Sequence, residues 1–275
     1  MFTKIKKSII YIGLILLSVI CLGPFLIMMV NSTRSSQEII NSFSLIPGNS
    51  LQSNWNIMSD YFNIFSGLKN SLFISVCVTL LSGYFSALTA YGLAIYKFKG
   101  RNVVFTTILV LMMVPAQLGL LGFYDLINGL GLMDSYIPLI IPAIASPFTV
   151  FFLRQYIVSV LPSSIIEAAR MDGASELSIF HRIGLPIMMP GIATMSIGTF
   201  IASWNNYLMP LVLLVSPKKF TLPVMMGSLS ASKDITANMG ATYVSVAVSV
   251  VPIMIAFCFF SKYIISSISA GGVKE

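Results

Sequence analysis

Long apolar runs alternate with short polar breaks along the whole chain. The runs occupy roughly 8–30, 70–96, 103–123, 136–158, 187–215 and 242–265. Each reaches the ~20 residues that a helix rising about 1.5 Å per residue needs to cross a hydrocarbon core. Inside lipid every backbone N–H and C=O must be paired within the segment, which a helix achieves by itself. The pattern therefore predicts an all-α, polytopic membrane protein of six transmembrane helices, forming a single transmembrane domain over 1–275.

Within the runs, the placement of small residues and prolines adds detail. Gly83, Ser86, Ala87, Ala90 and Ala94 recur at helical spacing on the second run, a pattern that lets helices approach closely in lipid. Pro115 interrupts the third run, and Pro138, Pro142 and Pro147 the fourth. Each removes a backbone donor and bends or breaks its helix, and broken helices often line substrate pathways. Gln117 beside Pro115 reads either as a hydrogen-bonding link between helices or as a polar group in a pathway. The fifth run carries Ser203-Trp204-Asn205-Asn206-Tyr207. Its rings and amides suit stacking on a sugar and bonding to its hydroxyls, but equally suit an interfacial anchor and interhelical bonds.

One polar stretch stands apart, Pro162 to Pro190, which reads PSSIIEAARMDGASELSIFHRIGLPIMMP. It holds Glu167, Arg170, Asp172, Glu176, His181 and Arg182 between two apolar runs, and charges of that density belong in water. Ser164 three residues before Glu167 predicts a capping box at the start of a short helix. Asp172-Gly173 predicts its end, because glycine enters the left-handed conformation freely. Ala174, Leu177, Phe180 and Ile183 then predict a second short helix with one apolar face, before Leu185-Pro186 returns the chain to the membrane.

Composition and charge agree with this picture. The 275 residues are 56% hydrophobic and 9% charged, against about 25% charged in a soluble domain. The net charge of +7 is distributed by side and does not mark a nucleic-acid binder. With the N-terminus inside, the inner segments hold Lys4, Lys6, Lys7, Lys97, Lys99, Arg101, Arg154, Arg170, Arg182, Lys262 and Lys274, and the outer ones only Arg34, Lys69, Lys218, Lys219 and Lys233. That bias predicts both termini, and the polar stretch, in the cytoplasm. Cys21, Cys77 and Cys258 read as small core residues, neither a disulfide nor metal ligands. Lys4 to Lys7 before the first run reads as the start of an uncleaved first helix.

Glu167-Ala168-Ala169, Asp172-Gly173-Ala174-Ser175, and Ile183, Leu185 and Pro186, at these spacings, resemble the signature loop of permease subunits of binding-protein-dependent ABC importers, in the carbohydrate branch. The run NSTRSSQEI with Asn54-Trp55, the Trp204-Asn205 pair ahead of Pro210, Pro217-Lys218-Lys219 with Phe220, and the tail Ser269 to Lys274 are similar to other parts of the same family, and to its smaller, maltose-type permease. The resemblance implies a type I importer fold in a bacterial cytoplasmic membrane. It implies a heterodimer with a second permease, two ATPase subunits that carry ATP and Mg, and an extracytoplasmic sugar-binding protein. It further implies that residues 162–186 form a coupling helix loop through which Glu167, Ala168, Ala169, Asp172, Gly173, Ala174 and Ser175 meet the ATPase, supported by Ile183, Leu185 and Pro186. Gln117, Trp204, Asn205 and Asn206 are candidates for the substrate pathway.

The chain itself has no Gly-x-x-x-x-Gly-Lys-Ser/Thr loop to hold a nucleotide, so it is read as a non-catalytic subunit that binds no cofactor or metal. The competing reading is a stand-alone ion-coupled carrier. It is disfavoured because no ionisable residue lies near the middle of any run. An intramembrane protease is disfavoured too, since the single histidine, His181, lies in the polar stretch.

Overall fold

The computed structural model describes the backbone of residues 2–230 and 238–272, and the side chains of 6–115, 117–229 and 238–261. Lys4, Lys233, Asp234, Lys262 and the tail beyond Ser269, which the sequence reading used, lie outside the described side chains. In chain order the helices are α1 (Phe2–Ser32), α2 (Ser36–Asn41), α3 (Leu51–Tyr61), α4 (Ile64–Ile95), α5 (Arg101–Met113), α6 (Leu120–Gly129) and α7 (Ile137–Ile140). There follow α8 (Pro147–Val160), α9 (Ser163–Met171), α10 (Glu176–Ile179), α11 (Leu185–Trp204), α12 (Leu208–Leu213), α13 (Leu222–Ser230) and α14 (Met239–Gly272). No strand occurs among the described residues.

Among the described residues five stretches are long and apolar enough to cross a membrane: Lys6–Ser32, Ile64–Ile95, Ile137–Val160, Glu176–Trp204 and Met239–Ser261. The sixth predicted span is a bent pair, Arg101–Met113 and Gln117–Gly129, at 85°. The predicted continuous run 103–123 is thus broken at Pro115. Val114, ahead of the proline, is extended (φ −81°, ψ 121°), as the proline ring requires of its predecessor. The fifth run also ends earlier than 215. α11 stops at Trp204, and Asn206 turns its Oδ1 onto the Met209 N–H at 3.4 Å to open α12. Local bonding by an Asn side chain has replaced the helical ladder there.

The chain divides into two compact units. In the first (1–68 and 222–251), α1 exposes nearly every side chain from Ile9 to Leu22, an apolar surface that belongs against lipid or another helix. Beyond α1 the NSTRSS turn is tied down from two sides. Asn54, 3% exposed, donates its amide to Ser32 O (2.9 Å) and Arg34 O (2.8 Å). The buried guanidinium of Arg34 donates to Glu38 O, Ser42 O and Ser42 Oγ at 2.8–2.9 Å. This segment forms α2 and then α3, and 42–50 between them has no regular structure.

In the second unit (69–221 and 252–275), the core joins the ends of α4, α8 and α11. Ala87, Ala90, Tyr91, Leu153, Ile157, Ile179, Phe180 and Met188 are buried together. The small-residue face of α4 does pack helices. A Cβ on Gly83 would meet Ile192 Cγ2 at 3.2 Å, one on Gly184 would meet Tyr91 at 2.8 Å, and one on Gly191 would meet Tyr156 at 2.8 Å. Close approach of this kind gains van der Waals contact where lipid supplies no hydrophobic drive.

Candidate functional site

The polar stretch folds as an elbow between α8 and the long helical stretch from Glu176 to Trp204. α9 starts at Ser163, after Pro162, with no side-chain cap. The capping box predicted for Ser164 and Glu167 does not form, because Pro162 takes the N-cap position, two residues ahead of Ser164, and Ser164 already lies inside the first turn. A capping box does form on α2, where Ser35 Oγ accepts from Glu38 N–H and Ser35 N–H donates to the Glu38 carboxylate. The bond donated by the Ser35 N–H, followed by a smaller contribution from the Ser35 side chain, holds the Glu38 carboxyl below its ordinary range.

The end of α9 follows the sequence reading. Gly173 has φ +78°, its N–H donates to Arg170 O at 3.0 Å, and the Ala174 N–H reaches back to Ala169 O at 3.1 Å. This double closure is the Schellman arrangement, which pairs carbonyls that the helix end would otherwise leave open. Ser175 then opens the next helix, its Oγ accepting from Ser178 N–H at 3.4 Å.

The elbow has a buried foot and an exposed crown. Ile166 and Ala169 turn into the core beside Leu153, Ile157, Leu161 and Phe180. Glu167, Ala168, Asp172, Gly173, Ala174 and Ser175 face outward. Between them stand uncovered apolar side chains: Met171 is 89% exposed, Leu177 62% and Ile165 41%.

Beyond the turn, the predicted separate second helix is absent. Helix runs without interruption from Glu176 to Trp204, through a π turn over Phe180–Gly184. Of the expected face, Phe180 is buried beside Ile179 and Gly184 and Ile183 is half-buried, while Ala174 and Leu177, ahead of the wide turn, lie open. Ile183 and Leu185 pack against the core, and Pro186 sits exposed in the first turn of α11, where its missing N–H follows directly on the π turn. His181 Nδ1 lies 2.8 Å from Leu177 O and its Nε2 3.1 Å from Tyr84 Oη. A carbonyl can only accept, so Nδ1 carries the hydrogen, and in the neutral ring Nε2 accepts from the tyrosine.

A brace that spacing in the sequence does not reveal fixes the two arms of the elbow. Arg170 on α9 forms a two-point pair with Glu176 on α10, Nε to Oε1 at 2.7 Å and Nη2 to Oε2 at 3.2 Å. The Tyr96 hydroxyl, 80 residues away, donates to the same Oε2 at 2.6 Å. Burial, together with the bond to Glu176, pushes the Tyr96 hydroxyl up to about 12. The bond to Glu176 likewise raises the Arg170 guanidinium above its ordinary value.

The other candidate residues are not brought together. Trp204 is 2% exposed and stacks on Phe200 with ring centres 5.9 Å apart. Asn205 is exposed at the end of α11, and Gln117 is exposed at the break between α5 and α6. Asn206 lines a groove of about 370 Å³ with Gly119, Phe123, Pro138, Pro142 and Met209. Nearby, Asp134 (φ +54°) clasps the segment after α12. Its carboxylate accepts from Val215 N–H, Ser216 N–H, Ser216 Oγ and Lys219 Nζ at 2.6–3.0 Å. These donors, Ser216 first, hold its carboxyl well below the usual range.

The sequence profile of the family described as binding-protein-dependent transport system inner membrane component matches residues 79–269. The stretch includes the elbow, the brace and the groove. The chain belongs to this family. The permease is 38% identical over 271 residues to the arabinooligosaccharides transport system permease protein AraQ of Bacillus subtilis, over 94% of this chain and 92% of that one. It is 32% identical to the diacetylchitobiose uptake system permease protein NgcG of Streptomyces coelicolor, covering 94% and 86%. With the trehalose/maltose transport system permease protein MalG of Thermococcus litoralis it shares 31% identity, covering 98% of each. Its fold matches a chain in the crystal structure of a bacterial ABC transporter that imports the acidic polysaccharide alginate, with a TM-score of 0.82 over 95% of this chain and 97% of that one, at 23% identity. The permease is thus a multi-pass membrane protein of the ABC type, and the all-α reading holds.

Proposed function

We infer that this permease is one of two membrane subunits of an ATP-driven importer for a sugar or oligosaccharide. In this reading it pairs with a second permease, and two ATPase subunits hold ATP and Mg. An extracytoplasmic binding protein delivers the sugar, and the bundle works by alternating access. Both termini and the elbow stand in the cytoplasm. The sugar-uptake systems named for its relatives support the cargo class, and the distribution of Lys and Arg supports the orientation.

The observation that carries the reading is the elbow itself. It is a rigid, braced knob whose foot is part of the core and whose crown offers Met171, Leu177, Ile165 and Ala168 around the carboxylate of Glu167. Such a surface suits insertion into a cleft with an apolar floor and a basic rim, where a charge-assisted bond to Glu167 contributes about 1.5–3 kcal/mol. A push on the crown reaches α4 through Tyr96 and enters α11 directly through the continuous helix. On the cargo side, Asn206 supplies an amide and Phe123 a ring to one groove. Trp204 serves the packing of α11 in this reading and does not contact the sugar.

The test is substrate-stimulated ATP hydrolysis in the reconstituted importer. Glu167→Ala is expected to leave insertion and assembly of the membrane subunits intact and to abolish stimulation. Normal stimulation in that variant would refute the coupling role, and sugar uptake by the permease in liposomes without ATPase subunits would favour an ion-coupled carrier instead.

A further inference from the structure

We propose that the turn between α4 and α5, together with Arg154 on α8, forms a binding site for the phosphate headgroup of an anionic phospholipid. Lys97, Lys99 and Arg101 fall within five residues, all at the surface or half-buried. Arg154 joins them through the packing of α5 on α8. Phe105 lies one helical turn beyond Arg101, stacks on Phe151 with ring centres 6.2 Å apart, and carries the Arg154 guanidinium 4.0 Å above its ring.

Among the described residues no acid forms an ion pair with these four cations. Among the described residues the ion pairs are Arg170 with Glu176 and Lys219 with Asp134. Arg101 reaches only a carbonyl, Tyr96 O at 3.4 Å, and Arg154 only the neutral Gln155 Oε1 at 3.1 Å. The Arg154 Nε–H is buried without any partner. Two guanidiniums left with neutral acceptors, on packed helices, offer what a phosphate oxygen pair can bridge. The neighbours say which phosphate. Phe98 on the turn is 48% exposed, and Val103 and Val104 at the start of α5 are 69% and 44% exposed. The adjoining groove of about 520 Å³ shares Lys97 and has Ile95, Ile157, Val158 and Leu161 in its lining, with Glu167 and Arg170 also on its wall. Cations set beside open apolar surface at the end of membrane helices fit an amphiphile better than a free anion. Only the choice of leaflet, the cytoplasmic one, rests on the functional reading above.

Purified full-length permease in a mild detergent, equilibrated with equal amounts of phosphatidylglycerol and phosphatidylethanolamine of matched acyl chains, tests this by native mass spectrometry. Wild type is expected to retain phosphatidylglycerol preferentially. K97Q/K99Q/R101Q is expected to lower that preference at least about tenfold, since each cation near an anionic headgroup contributes roughly a factor of five. K97Q/K99Q, which leaves the Arg101 contact to the backbone in place, should show a smaller loss if the triple variant folds poorly. K6Q/K7Q, altering another basic pair, should change nothing. An unchanged preference in the turn variants overturns the proposal, and so does an equal loss in K6Q/K7Q, which would mean diffuse charge attraction. Displacement of the lipid by excess glycerol 3-phosphate would make free phosphate the ligand and overturn the lipid. Absence of any lipid preference, with failure of the turn variants to bind the ATPase subunit, would make the turn a protein contact and also overturn it. Loss of coupling in Glu167→Ala leaves this readout untouched, so the two readings fail separately.

Discussion

Gly173 is where one substitution probes the whole elbow. Its φ of +78° is left-handed, and a Cβ there would have no atom within 4 Å. A change to Ala therefore costs backbone strain alone, with no clash, on the order of 1–2 kcal/mol for an L residue held in that conformation. That cost shifts the ratio of closed to open elbow by a factor of about 5–30. Asn, which tolerates the left-handed region, should fall between Ala and Gly. Pro should be worst, because its ring fixes φ near −65° and removes the N–H that now bonds Arg170 O. Hydrogen exchange read by mass spectrometry on the peptide spanning 170–175 follows the amides of Asp172, Gly173 and Ala174, all donors to α9 carbonyls. Exchange is expected to quicken in the order Gly, Asn, Ala, Pro, with stimulated ATP hydrolysis in the assembled importer falling in the same order. Wild-type exchange in both the Ala and Pro variants would refute the claim that glycine holds the turn. Fast exchange with intact stimulation would refute the claim that the turn carries the coupling.

Three other outcomes follow from the same geometry. Tyr96 keeps its proton to about 12 in the folded protein, while an unfolded tyrosine releases it near 10, so the brace is fully present below about pH 10 and its contribution is lost as pH rises toward 12; hydrogen exchange at Arg170 and Glu176 should quicken over that window in wild type, and in Tyr96→Phe should be fast and flat across it. Asp134 is shifted the other way, so the clasp on 213–220 is at full strength above the ordinary carboxylate range and weakens only as pH falls through its depressed value; Asp134→Asn should raise protease cleavage between Val215 and Phe220 at neutral pH, and equal resistance would count against the clasp. Gly184→Ala places a methyl group 2.8 Å from the Tyr91 ring and should cost about 1–3 kcal/mol in thermal stability, whereas Gly198→Ala on the same helix, with nothing within 4 Å, should be neutral or stabilising.

How far the residues themselves announced this structure depends on the range of each interaction. The turn at Gly173 was legible because a positive φ selects its residue locally. The break at Pro115 was legible as a break, since proline acts on its own backbone and on the residue before it; the 85° between its arms is set by packing and has no local sign. The capping box at Ser164 failed because the helix starts two residues earlier, with Pro162 at the cap. The three-residue apolar spacing over 174–183 misplaced the end of the second helix, because the π turn over Phe180–Gly184 carries the helix on into α11 with no marker in the side chains. Tyr96 and Glu176 meet across 80 residues, and nothing within either segment points to the other. Trp204 shows the ambiguity of an aromatic beside amides, which the sequence reads as well for sugar stacking as for packing; here the ring is buried on Phe200.

The account stands on the elbow being an internal contact for an ATPase. With Cys21, Cys77 and Cys258 replaced by serine or alanine, a single cysteine at Ala168, exposed on the crown, can be labelled with a membrane-impermeant maleimide. The label is expected to fail in intact cells, to react in inverted vesicles stripped of ATPase subunits, and to be blocked when those subunits are restored. Labelling from the outside of intact cells, or equal labelling of the stripped and restored vesicles, would contradict it.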